Sequence, residues 1–257
     1  NTVQYITECI ASVKRQNYSE FEHIVIDNCS TDNTSFVLRK HAHLHVICEP
    51  DNGQSQALNK GISCADPSSI ISWLNSDDML TDGVFEKLND IFSDKSIDII
   101  YGDSLVVNEV TGKQYVNKAV IGNVDDFRYW WRGKVKIHQP SVFFRKSVYD
   151  KVGPFREDLH YIMDYEYWER SRQTFDFKKI DGIFSVQRFH KNAKTYEWHK
   201  FFQEKEVVFS KHYRNDNVLM QEKKRIMADK YYRLAQSSLE WRGYRYSIYM
   251  LLKAAEY

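Results

Sequence analysis

With 257 residues, 42% of them hydrophobic and 28% charged, the chain has the composition of a globular protein with room for one large α/β domain and an appendage. Its net charge of +1 excludes a broad nucleic-acid-binding field, and no apolar run approaches the roughly 20 residues needed to cross a bilayer. Cys9, Cys29, Cys48 and Cys64 lack the paired spacing of zinc sites and are expected to be free, small core residues in a reducing, cytoplasmic setting.

The first residues, NTVQYITECIASVKRQ, read as an amphipathic helix rather than a secretory leader, with Val3, Ile6, Ile10 and Val13 at helical spacing. HIVID follows as a short buried strand ending on Asp27, and the capping run NCSTDNT opens a second helix. An acid at that position can accept hydrogen bonds from a base or ribose, although an ordinary strand-to-helix turn has the same composition. LHVICEP is the next strand, DNG a turn, QSQALNKGISCA a helix and SIISWLNSDD a further strand. Strands alternating with helices imply parallel pairing through crossovers. His41, His43 and His45 resemble a metal run, but they straddle a helix end and a strand and are read as solvated.

Asp77 and Asp78 end the SIISWLNSDD strand, at the sheet edge where open α/β folds bind ligands. Paired acids there point to a cation or polar substrate, against the plainer reading of a turn before the helix GVFEKLNDIFSD. IDIIYGDSLVVNE and VTGKQYV form a hairpin, so the sheet becomes mixed. HQPSVFFRKSVYDKVGPF adds a strand and helix. In YIMDYEYWERS, Asp164 and Glu166 interrupt an aromatic segment, and a partly desolvated carboxylate there suits a general base. The plainer reading has Asp164 capping a helix and Glu166 pairing with Arg170. His138 and His190 could each bind a metal, phosphate or sugar hydroxyl. From Trp198 the chain reads as helices, with a packed hairpin turning at Gly243.

The segments IVIDNCSTDNT, EPDNGQSQALNKGI, SWLNSDDML, IIYGD, HQPSVFFRKSVYDKVGPF and LHYIMDYEYWER occur together in one order. In this the chain resembles the family 2 glycosyltransferases of the GT-A fold over residues 1 to 195, and especially a bacterial subset with WLNSDD and MDYE motifs. The resemblance implies a Rossmann-like, mostly parallel mixed sheet flanked by helices. It divides the chain into a nucleotide-sugar-binding and catalytic domain at 1–197 and a C-terminal helical extension at 198–257. The implied activity is inverting, metal-dependent transfer from a nucleotide-sugar, a UDP-sugar above all, to a glycan or lipid-linked acceptor in cell-surface polysaccharide assembly.

Carried over by motif, Asp27 resembles the acid that contacts the base, and Gln54 and Ser55 a donor-binding loop. Asn75, Asp77 and Asp78 match the D-x-D-like element, with Asp77 on the donor's ribose or sugar and Asp78 on Mg or Mn. Asp164 resembles the catalytic base. His138, Gln139 and Glu166 fall on the acceptor side, and His190 is placed to reach the metal or diphosphate. Two departures stand out. The sequence begins after the strand and Pro-x-Tyr-Asn-like element with which the family starts, so either the sheet lacks that strand or natural residues precede Asn1. Leu58 stands where many relatives carry the arginine of A-R-N-x-G, which puts one implied base contact in doubt.

A nucleotidyltransferase would share the strand-end acids, but no glycine-rich, basic triphosphate loop is visible. A noncatalytic nucleotide-sugar or glycan-binding protein would keep the pocket without needing Asp164. The tail after Glu197 holds 12 Lys or Arg against 7 Asp or Glu, which is compatible with peripheral docking at the inner face of an anionic membrane or with a solvated helix face. Its aromatic residues could form a homodimer interface.

Overall fold

The computed structural model describes residues 2–194, 197–238 and 244–256. Helix α1 (Val3–Lys14) is followed by β1 (His23–Asp27), α2 (Thr34–Leu38), β2 (Leu44–Cys48) and α3 (Gln54–Ser63). Strands β1 and β2 pair in parallel as a two-stranded sheet. Six strands form the second sheet: β3 (Ile70–Ile71), β4 (Met79–Leu80), β5 (Ile99–Asn108), β6 (Lys113–Asn117), β7 (Val142–Arg145) and β8 (Phe177–Phe189). Its order is β3-β7-β5-β8-β4, with β6 hairpinned onto β5.

The mixed α/β class agrees with the sequence reading, but parallel pairing is confined to β1 with β2 and β5 with β8 among the described residues. Strand β3 runs antiparallel to β7. The chain returns to β7 through the β6 hairpin and the 118–141 excursion, not a simple helical crossover. The strand expected over residues 69–78 is also shorter. Beyond Ile71 a side chain takes over from the ladder, because the Gln139 amide donates to the Trp73 carbonyl. That satisfies a backbone acceptor and frees residues 72–78 to form the loop carrying both acids.

Alternation along the central strands builds a core on each face of the sheet. Ile99 and Tyr101 of β5 and Val142 and Phe144 of β7 join Trp73, Phe155, Tyr167 and Trp168 on one face. Ile100 and Phe143 join Val13, Leu88 and Phe184 on the other, under α1 and α4 (Val84–Phe92). Gly102 lets the sheet close on Phe184, since a Cβ there would lie 2.6 Å from the ring. The first helix packs through Ile6 and Ile10 on Leu38, Val25 and Leu44, as its spacing indicates.

Helices α5 (Val124–Arg128), α6 (Lys146–Val152) and α7 (Met163–Arg172) precede β8, and α8 (Trp198–Phe209), α9 (Asn217–Ser238) and α10 (Tyr244–Ala255) form the extension. The extension shares a core with the preceding residues. Trp130, Trp131, Leu159, Ile162 and Met163 pack with Val208, Phe209, Tyr213, Met227, Tyr231 and Met250. The expected turn residue Gly243, and Thr195, lie outside the described residues. All four cysteines are free, but only Cys9 is buried, so the core assignment fails for the other three. His41 and His43 are half-buried with ring contacts reaching His23, so only His45 is solvated as expected.

Candidate active site

Pairing of β4 with β8 places the two acids. Met79 lies opposite Val186, which brings Asp78 beside Arg188 and leaves Asp77 beyond it, facing the end of β8. Asp78 Oδ1 accepts the Arg188 backbone N-H at 3.0 Å, and Oδ2 accepts the Asn75 amide at 3.4 Å. Its N-H donates to the Asn75 carbonyl at 3.0 Å, closing the turn. Asp78 is 5% exposed, whereas the Asp77 side chain is 24% exposed, so Asp77 faces the opening and Asp78 braces it from beneath. Burial, and then the charge of Asp77, push the Asp78 carboxyl up to about 8.

His190 Nε2 lies 3.0 Å from Asp77 Oδ2. The imidazole is stacked on Tyr5, with ring centroids 4.9 Å apart, and the Arg188 guanidinium covers the same tyrosine at 5.1 Å while pairing with Glu8. The Tyr5 hydroxyl donates to Glu109 at 2.7 Å. Burial and that bond push it up to about 12, so it stays protonated and neutral against the imidazole. Tyr5 is not singled out by the sequence, because its role depends on contacts across more than a hundred residues.

The rest of the candidate set divides by geometry. Gln54, at the start of α3, donates to Asn75 Oδ1 at 2.6 Å and accepts from Lys194 Nζ at 3.2 Å. Gly53 ahead of it has φ +126° and would bring a Cβ to 3.4 Å from the His160 ring. A side chain is therefore disfavoured by backbone conformation, while the space beside the ring would admit a Cβ in ordinary contact. Ser55 is turned into the protein, its hydroxyl donating to the Leu159 carbonyl at 3.1 Å. Asp27 closes β1 and accepts the Ser30 N-H at 3.2 Å and hydroxyl at 2.5 Å. The neighbouring Cys29 has a φ of +48°. Leu58 packs between two apolar clusters, which gives its departure from arginine a structural reason.

Asp164 stands in the first turn of α7, half-buried, with Oδ1 accepting the Tyr165 N-H at 2.7 Å. Burial raises its pKa, while the charges of Lys205 and Lys194 oppose the rise. Lys205 lies over the Tyr165 ring at 3.6 Å and is itself pushed down to about 7, chiefly by burial. Glu166 is tied to Arg170 at 2.8 Å, and Arg170 also donates to the Val152 and Pro154 carbonyls, a fold-holding arrangement. Gln139 is buried and engaged with Trp73. His138 is buried and hydrogen-bonded to Gln187 of β8, and burial lowers its pKa.

No group of three or more His, Cys, Asp or Glu is arranged around one cation position among the described residues. The donor set still suits a hard divalent ion shared with a ligand. Such ions commonly take one or two protein carboxylates and complete their shell with phosphates and water. A cation beside these acids would also offset the Asp77 repulsion that adds to burial in raising the Asp78 pKa. No helix among the described residues is long and apolar enough to cross a membrane.

A family model described as glycosyl transferase family 2 matches residues 1–153. Glycosyltransferase GlyG of Streptococcus pneumoniae is 30% identical over 120 residues, covering 45% of this chain and 40% of its own length. The chain thus spans under half of that relative. Among solved structures, S. aureus TarS residues 1-349 in complex with UDP-GlcNAc superposes with a TM-score of 0.62 at 17% identity, over 98% of this chain and 76% of that one. A mannosyltransferase from Pyrobaculum calidifontis in complex with GDP-Man and Mn2+ gives 0.60 at 16% identity, over 100% of this chain and 70% of its own.

Proposed function

The chain belongs to glycosyl transferase family 2, and from that premise we propose that it is an inverting transferase moving a sugar from a UDP-sugar to a hydroxyl of a glycan or lipid-linked acceptor. The observation that carries this reading is a continuous polar path. Asp78 is bonded to Asn75, Asn75 to Gln54 and Gln54 to Lys194, whose charge reaches Asp164 on α7. One end of the path offers carboxylates to a diphosphate-bound cation and the other offers a desolvated base.

Asp27 is assigned to the base of the nucleotide and Gln54 with Asn75 to the donor. Asp78 would hold Mg or Mn and Asp77 the donor's ribose or sugar, with His190 on the metal or the diphosphate; when bound, such an ion would supply positive charge to the leaving diphosphate. Asp164 accepts the acceptor hydroxyl's proton as that oxygen forms its bond to the anomeric carbon. The bond to the diphosphate breaks on the opposite face, and the leaving nucleotide keeps the electron pair. Burial favours this use of Asp164, since a raised pKa makes the carboxylate a stronger base. The UDP-GlcNAc bound by TarS supports a UDP-sugar as the first donor to test.

We assign the chain to cell-surface polysaccharide assembly, at the cytoplasmic face of a membrane, with the basic excess of residues 198–257 as the docking element. The division after residue 197 is kept as a functional one, catalysis before it and acceptor-side support after it.

The test has two arms. Purified protein is melted with UDP, GDP, dTDP or CMP, each with manganese or chelator, because a ligand that binds only the native state raises the Tm. Donor-sugar turnover is then compared for wild type and Asp164→Asn. The expected result is manganese-dependent stabilisation by UDP, and a loss of turnover of roughly a hundred- to ten-thousandfold in the variant. No response to any nucleotide removes the donor site, and near wild-type turnover removes Asp164 from its role.

A further inference from the structure

The segment that leads into Asp164 is held by a neighbour outside its own helix. The chain ahead of α7 presents consecutive backbone N-H groups at His160, Tyr161 and Ile162, and none of the three is used by the helix that follows. All three donate to the carboxylate of Glu204 on α8, at 2.9, 2.7 and 3.0 Å. The His160 carbonyl accepts from Lys194 Nζ at 3.2 Å, and the same ammonium donates to Gln54. This short segment is therefore fixed on one side by the extension and on the other by the donor-side loop. Tyr161 adds a second tie, its hydroxyl donating to Glu197 at 2.8 Å.

We propose that Glu204 is a positioning residue for the transfer reaction: by gathering the three N-H groups it sets the first turn of α7, and with it Asp164, against the donor site. The proposal rests on the reading of Asp164 as the base. A carboxylate suits the task better than a neutral group for two reasons. Hydrogen bonds to an ionised acceptor are about twice as strong as neutral ones. Its negative charge also lies at the positive end of the α7 dipole. The charged neighbours of this region include Lys194, which faces both Asp164 and Glu204, Arg156, which faces Glu204 and Glu166, and Lys205, which faces Asp164 and Lys230.

The experiment is a double-mutant cycle on the full chain, with kcat expressed per UDP-manganese binding site so that inactive protein does not count. Glu204→Ala should lower kcat by roughly 10- to 100-fold, the cost of a small misplacement of a catalytic group, with the UDP dissociation constant unchanged within about twofold. In an Asp164→Asn background the same substitution should cause no further loss, because it acts only through that carboxylate. Glu204→Gln keeps one acceptor oxygen and should lose less; if Glu204→Ala is not recovered folded, Glu204→Gln replaces it in the cycle. Unchanged kcat per site, or equal losses in both backgrounds, overturns the proposal. If Asp164→Asn itself retains near wild-type transfer, the reading of the base has failed instead, and the two failures are told apart by that single variant.

Discussion

Nε2 of His190 and Oδ2 of Asp77 lie 3.0 Å apart across a sequence separation of 113. The contact follows from the β4 and β8 register, which sets the acid loop beside the end of β8. Stacking on Tyr5 orients the imidazole. We expect His190→Ala to raise the manganese concentration needed for half-maximal UDP-dependent stabilisation by roughly 10- to 100-fold, the usual cost of losing a group that orients or shares in a metal site. A titration of Tm against manganese at fixed UDP checks this, and an unchanged midpoint would take His190 out of the site.

Asp78 carries a pH signature. Its folded pKa of about 8 stands above the ordinary carboxylate value, so between these limits the folded chain holds a proton that the unfolded chain has released. The stability from this group is complete below about pH 4 and is lost as the pH rises through about 8. Asp78→Asn has no such titration. In metal-free buffer its Tm relative to wild type should climb between about pH 5 and 8.5, and a constant difference would show that the carboxyl does not titrate in this window.

Lys205 favours the ionised form of Asp164, with Lys194 acting in the same sense. Removing that charge in Lys205→Met should move the acidic limb of the kcat profile to higher pH. The difference is largest below about pH 7, where Lys205 is itself charged. A limb that stays in place would mean that another group sets the acidic side.

Gly102 bears on stability alone. In Gly102→Ala the new methyl would meet the Phe184 ring at 2.6 Å, and Phe184 is buried among Leu80, Ile100 and Phe143. We expect a loss of about 1 to 3 kcal/mol, the range for overpacking a filled core. Chemical denaturation measures it, and a neutral result would require the ring to have room to turn.

The candidate donor-side acids were legible in the sequence because they follow short apolar runs. HIVID ends on Asp27 and the run from Ile70 leads to Asp77 and Asp78, and strand ends gather ligands in α/β sheets. Burial was less legible. Ser55, Gln139 and Glu166 are polar residues in motifs, yet each is spent on holding the fold through Leu159, Trp73 and Arg170. A polar side chain that satisfies a buried carbonyl has the same letter as one that greets a substrate. Glu204 could not be found from sequence at all, since its partners are backbone groups that leave no pattern.

The family match ends at residue 153, while Asp164, Lys194 and Glu204 all follow it. This bears on how the chain can be recombined with its relatives. A graft joined near residue 153 would carry the base together with its carboxylate clamp. A join at residue 197 would part them and would also divide the interior where Trp131 meets Tyr213 with ring centroids 4.5 Å apart. Hybrids cut at residue 197 should keep Asp164 and Lys194 but lose the Glu204 carboxylate that gathers the His160, Tyr161 and Ile162 N-H groups.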